Sequence, residues 1–262
     1  MVFNPFDYNE ATRHRRDSVE DRLREGSPVV GISFDKGLLL LTVRRTQRKV
    51  FEVYDRLIYS AIGNQSDIEA IRVGAIDVAH KEGYDRSPDD VTIQRIVGFA
   101  LSPPLKRLFG DTWNAQPAVI RALFGELGKT PEEDLFFVLN YDGEYSQYQT
   151  FSAVAGTQEA EDRMTLTLMG VGPETTREQA LERAVKAWGV GAMESRRRQG
   201  GEDDDENPLR DIDEDEQVGG FLRTELKTGQ VEAGILERFS SRESKFRLLT
   251  DADLKDVLAQ YK

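Results

Sequence analysis

The apolar residues of this chain change period several times, and the order of those changes restricts the fold more than any single motif does. Residues 29–34 and 38–43 are strand-like runs on either side of Asp35-Lys36-Gly37, a turn sequence, so together they read as a hairpin. A basic connection, Arg44-Arg45-Thr46-Gln47-Arg48-Lys49, leads to two further strands at 50–54 and 57–62. The period then lengthens to 3.6. Ser66-Asp67-Ile68-Glu69 reads as a capping box, and Ile68, Ile71, Ala75, Val78 and Ala79 share one helix face up to Gly83. A second helix is expected from Ser87 to about Leu101, where Ser102-Pro103-Pro104 breaks it.

The alternation then repeats. Strands are expected at 118–125, 134–141 and 144–151, the last two joined by Asp142-Gly143. Helices follow at 157–169 and 176–193, the second with Leu181, Ala184, Val185 and Trp188 on one face. Residues 221–227 and 231–237 read as a hairpin around Thr228-Gly229-Gln230. Thr250 caps a last helix with Leu254, Val257, Leu258 and Tyr261 inward. Strands in hairpins imply antiparallel sheets, and two helix pairs imply two covered faces. The expected fold is a four-layer αββα sandwich in one domain spanning 1–262. Ahead of it, residues 9–25 form a charged helix with a thin stripe of Ala11, Val19 and Leu23, which needs a neighbour to be buried.

Composition excludes several function classes. The 262 residues contain no Cys, so thiol catalysis, disulfides and thiolate metal sites are out. His14 and His80 are the only histidines, too few for a multi-histidine metal centre. No cofactor is expected. No apolar run approaches the roughly 20 residues of a membrane span, and the charged first 25 residues lack the apolar core of a secretion signal. The expected setting is the cytoplasm, without a membrane partner. Of the net charge of −12, the stretch 202–216 carries −9, with ten acids and only Arg210 opposing them. The remainder is nearly balanced, so a nucleic-acid partner is not expected. Residues 199–217 read as a disordered acidic loop. Asp211, Asp213 and Asp215 have the spacing of a calcium loop, but Glu216 and Leu222 stand where that loop requires Gly and Glu.

The order of pieces resembles the α-type subunits of bacterial, actinobacterial-like 20S proteasomes. The resemblance rests on the charged lead-in helix followed by Gly26-Ser27-Pro28-Val29-Val30-Gly31, and on Lys49 through Arg56. It rests also on Gly63, Arg72, Gly74, Gly83-Tyr84 and the run from Arg86 to Thr92. Tyr141-Asp142-Gly143, Gly156-Thr157, residues 231–237 and Phe246-Arg247-Leu248-Leu249 continue it. It implies the N-terminal-nucleophile hydrolase sandwich and a non-catalytic chain forming a closed ring, of seven copies. By the same resemblance its partners are itself, catalytic β-type subunits, and an ATPase or other activator ring. It implies further that residues 1–26, with Phe3, Pro5, Phe6 and Tyr8, gate an axial pore. The Tyr-Asp-Arg gate motif of archaeal α subunits is missing, since Tyr54-Asp55-Arg56 has those letters inside a strand.

Two site readings follow from the resemblance. Ser27 falls where the family's peptidase subunits carry a Thr whose free amine acts as base, supported by a Lys and an acid. A self-processing peptidase using Ser27 is therefore the competing reading. Against it, Ser27 follows 26 residues and precedes Pro28, and the strand at 38–43 offers no carboxylate before Arg44 and Arg45. No catalytic residue is expected. Lys49 is implied to bind the C-terminal carboxylate of a docking activator, with Gly26 and Gly63 lining the same pocket. Arg44, Arg45 and Arg48 suit an anion receptor. A solvated basic loop accounts for the same residues, and the sequence leaves the two open. Trp113, among Pro103, Pro104 and Pro117, fits either a subunit contact or a core cover.

Overall fold

The computed structural model describes residues 5–111, 115–199 and 214–261. Phe3, Trp113 and most of the acidic stretch, Asp211 and Asp213 included, lie outside the described residues. Among the described residues, ten strands form two five-stranded antiparallel sheets. One has the order β10-β9-β2-β1-β8, built from β1 (Val29–Phe34), β2 (Gly37–Arg44), β8 (Phe151–Val154), β9 (Gln230–Glu237) and β10 (Phe246–Leu248). The other runs β3-β4-β5-β6-β7, with β3 (Phe51–Tyr54), β4 (Leu57–Gly63), β5 (Ile120–Glu126), β6 (Leu135–Asn140) and β7 (Tyr145–Tyr148).

Helices α4 (Gln158–Leu168), α5 (Arg177–Gln199), α6 (Glu214–Glu225) and α7 (Asp251–Leu258) supply side chains to the core over the first sheet. Helices α2 (Gln65–Asp85) and α3 (Ser102–Gly110) cover the second. This is the four-layer αββα sandwich expected from the pattern. The run Leu38–Leu41 reads as unbroken apolar sequence because both faces of β2 are buried. Leu39 and Leu41 meet the helices, while Leu38 and Leu40 meet the other sheet. Each such side chain contributes about 1.5–3 kcal/mol by its removal from water.

The lead-in helix α1 (Pro5–Leu23) starts earlier than its stripe suggested and includes Pro5, Phe6 and Tyr8. Val19 and Leu23 are buried, 1% and 2% exposed, in the core between the sheets. Arg15 donates to the backbone oxygens of Leu108 and Ala115 at 3.0 and 2.5 Å, and the Tyr141 hydroxyl donates to Glu20 at 2.9 Å.

Four local expectations are corrected. Residues 221–225 are not a strand but the end of α6, which places Val218 and Leu222 on one buried face and begins inside the stretch assigned to the acidic loop. Glu214, Asp215 and Glu216 fall in its first turn, where acids favour a helix. Ser66 is not an N-cap: Asn64 holds that position, Asp67 accepts from the backbone of Val119 at 2.8 Å, and α2 passes Gly83 to end at Asp85. Pro103 and Pro104 do not end a helix but stand in the first turn of α3. The turn before them widens into a π-helical segment, Arg95–Leu101, where the two absent N–H donors are accommodated. The strand expected at 144–151 is two strands in different sheets. The chain crosses between them at Thr150, whose φ is 65°.

Candidate functional site

The first residues of β1, the end of β2 and the start of β9 meet at one end of the sandwich. In the antiparallel pairing of β2 with β9, Thr42 stands opposite Glu232 and Arg44 opposite Gln230. Arg44 and Glu232 are therefore diagonal neighbours on one face of the ladder. The guanidinium Nε of Arg44 lies 2.8 Å from Glu232 Oε2, and its Nη2 donates to Gln230 at 2.7 Å. The connection from β2 to β3 folds back over this pair. The other carboxylate oxygen, Glu232 Oε1, accepts from the backbone N–H groups of Lys49 at 3.1 Å and Val50 at 2.8 Å. Arg48 Nε stands 3.9 Å from it.

Lys49 is partly exposed, and its Nζ donates to the backbone oxygen of Ser27 at 3.0 Å. Loss of hydration lowers its pKa to about 8, against the opposing pull of Glu232. Both Lys49 and Ser27 line a cleft of about 390 Å³ whose wall includes Gly26, Arg44, Arg45 and Trp188. Across it, Arg196 of α5 grips Glu225 of α6 through two 2.6 Å hydrogen bonds, with Arg45 4.0 Å from the same carboxylate. Among the described residues, no cluster of three or more His, Cys, Asp or Glu could hold a metal ion.

Ser27 is chemically occupied. Its hydroxyl donates to the backbone oxygen of Val43 at 2.7 Å and accepts from the indole N–H of Trp188 at 3.1 Å. Thr42 Oγ1 lies 3.3 Å away and itself donates to the oxygen of Pro28 at 2.7 Å. The Ser27 nitrogen is in peptide linkage to Gly26, behind α1.

Of the three residues expected to form the anion pocket, Lys49 and Gly26 line the cleft. A Cβ on Gly26 would meet Ile62 Cβ at 2.7 Å, so only glycine lets the chain pass so close to β4. Gly63 follows Ile62 but is not among the lining residues, and its φ of +128° serves the close pairing with β5 beside Val119. Sequence reasoning missed Glu232 and the inward reach of Trp188. The signal for Glu232 was a carboxylate inside the otherwise apolar run Val231–Leu236, on a strand expected to be buried.

Comparison with known proteins finds proteasome α subunits similar to this chain. The proteasome subunit alpha of Saccharopolyspora erythraea is 27% identical over 251 residues, 94% of this chain and 84% of the relative. That of Kineococcus radiotolerans is 25% identical over 249 residues, 94% of this chain and 93% of the relative. This chain is a homologue of the bacterial proteasome α subunits. The proteasome subunit alpha of Xylanimonas cellulosilytica is 30% identical over 149 residues, a match spanning 56% of this chain and 60% of the relative. No family model matches. In proteasome terms, the fold described above is the N-terminal-nucleophile hydrolase sandwich. Among the described residues, no helix is long and apolar enough to cross a membrane.

Proposed function

We propose that this chain is a single-domain, non-catalytic α-type subunit of a 20S proteasome-like particle in the cytoplasm. In this reading identical copies close into an outer ring of seven, stacked on catalytic β-type subunits, with residues 1–26 gating the entrance. The observation that carries it is the path of the chain into Ser27. The nucleophile chemistry of the fold needs a free amine at the start of β1, and here that amine is bonded to a segment whose Val19 and Leu23 are built into the core. The Ser27 hydroxyl has its donor and acceptor roles filled by Val43 and Trp188. Much of α1 ahead of Val19 is exposed, which suits a contact with the neighbouring copy, and identical head-to-tail contacts close a ring.

The same reading makes the cleft the receptor for the C-terminal carboxylate of an activator ring. Lys49 supplies the ammonium, Gly26 lets the chain approach, and Gly63 supports the neighbouring wall. Intact mass of the purified protein together with native mass of the assembly tests the proposal. A full-length chain in a ring of about seven supports it. A chain beginning at Ser27 sinks it and favours the peptidase, and a full-length chain in a smaller particle removes the ring.

A further inference from the structure

Lys49 does not stand alone at the cleft, because the turn that carries it is fastened from beneath by a carboxylate of another strand. Glu232 is 7% exposed and belongs to β9, far from Lys49 in sequence. One of its oxygens holds two consecutive N–H groups, those of Lys49 and Val50, at 3.1 and 2.8 Å. A carboxylate bridging successive backbone donors fixes the direction in which the chain leaves the turn, and so the direction of the Lys49 side chain. Its other oxygen faces Arg44 at 2.8 Å as an ion partner but has no aligned hydrogen-bond donor. The cluster is thus one buried anion beneath three cations, Arg44, Arg48 and Lys49, and it has capacity for a second anion from outside.

We propose that Glu232 is the positioning residue of the anion site: it clamps the Lys49–Val50 backbone and supplies the buried counter-charge that keeps the Lys49 ammonium aimed at the cleft. The proposal rests on the reading of Lys49 as the carboxylate receptor and adds the residue on which that role depends. Other charges face the same space: Arg24 and Glu25 from the α1–β1 connection, Arg44 and Arg45 from β2 and its exit, Arg196 from α5 and Glu225 from α6. Glu225 is held by Arg196 and Arg24 stands 3.3 Å from Asp21, while Glu232 is the acid whose carboxylate accepts from the backbone of the lysine turn itself.

Glu232→Gln tests this, because the amide oxygen still accepts the two N–H bonds while the charge is gone. The full chain is treated with acetic anhydride across pH 6–11, and acetylation at each lysine is followed by peptide mass spectrometry. The midpoint for Lys49 should fall by at least about half a pH unit in Glu232→Gln, with Lys36 and Lys255 unchanged as internal controls. Glu232→Asp, which keeps the charge on a shorter arm, should recover part of the shift. An unshifted Lys49 midpoint in a folded Glu232→Gln protein overturns the proposal, and so does a shift that Glu232→Asp fails to reduce. The docking reading is judged separately in the same assay, with millimolar N-acetyl-alanyl-alanine and its C-terminal amide as probes. Protection of wild-type Lys49 by the free acid but not the amide supports a carboxylate receptor. Protection by neither overturns that reading, while the midpoints still decide the role of Glu232.

Discussion

Strands β1 and β9 carry a buried carboxylate cluster at each of their ends, and the two clusters are built on opposite principles. Past the end of β9, Arg238 meets Asp134 with 2.7 and 3.0 Å contacts, the side chains 4% and 0% exposed. Asp134 also accepts from the Ser33 hydroxyl at 2.6 Å and from the N–H of Gly128 at 2.8 Å. There one anion meets one cation, with neutral donors completing its shell, and the cluster is sealed. At the start of β9, Glu232 meets the two guanidinium groups of Arg44 and Arg48 and the backbone N–H of Lys49, and the cluster opens on a cleft that the Lys49 side chain lines. A matched and closed ion pair organises a scaffold; an excess of one sign at an opening leaves room for a ligand.

The largest expected effect breaks the sealed end. Asp134→Ala leaves the Arg238 guanidinium buried without its counter-charge, a change that costs about 3–5 kcal/mol. Urea denaturation of the full chain checks it. A loss below about 1 kcal/mol would mean that water reaches Arg238 and that the two ends do not differ in kind. The contrasting substitution is Lys49→Met, which removes a cation from the open end. Arg44 and Arg48 remain beside Glu232, and the methylenes of the lysine are replaced, so stability at pH 7 should stay within about 1 kcal/mol of wild type.

This contrast also explains what was legible in the sequence. The sandwich could be read because period and turn chemistry are local: the hairpin at Asp35-Lys36-Gly37 and the cap at Thr250 stand as expected, the latter as a full capping box with Asp253. Residues 221–225 misled because a short run around Phe221 and Leu222 satisfies either period. Helix α5 decided the matter by burying Val218 and Leu222. Lys49 was visible in a run of basic residues. Glu232 was not, since its partnership with Lys49 exists only through the β2–β9 register, and sequence gives no register between strands nearly 190 residues apart. Asp134 and Arg238 were hidden for the same reason.

The open end can be followed through the titration of Lys49. With its pKa lowered to about 8, Lys49 binds its proton less tightly in the folded chain than in the unfolded one. Between about pH 8 and the ordinary lysine range near 10.5, the unfolded chain therefore holds more protons, and this group's contribution to stability rises with pH. Anion binding moves the other way, because the neutral amine attracts no carboxylate. Acetylation of Lys49 should show a midpoint near pH 8, and protection by N-acetyl-alanyl-alanine should weaken above it, approaching tenfold per pH unit. A midpoint above pH 10 would make Lys49 an ordinary surface lysine and erase this half of the comparison.

The smallest effect concerns strain at the sealed end. Thr150 has φ 65° where the chain leaves β7 for β8, and its oxygen accepts from the N–H of Ser33 at 2.7 Å, the residue whose hydroxyl serves Asp134. A β-branched residue in the left-handed region is strained by about 1–2 kcal/mol, and asparagine adopts that conformation more readily. Thr150→Asn should therefore raise stability by about 0.5–1 kcal/mol in urea denaturation, and the Lys49 acetylation midpoint should not move. The second measurement matters more than the first. Strain kept at a site for function is expected to perturb that site when released. A shifted Lys49 midpoint in Thr150→Asn would show that β1 transmits strain from one cluster to the other, and the sealed end would then be part of the receptor's machinery rather than its scaffold.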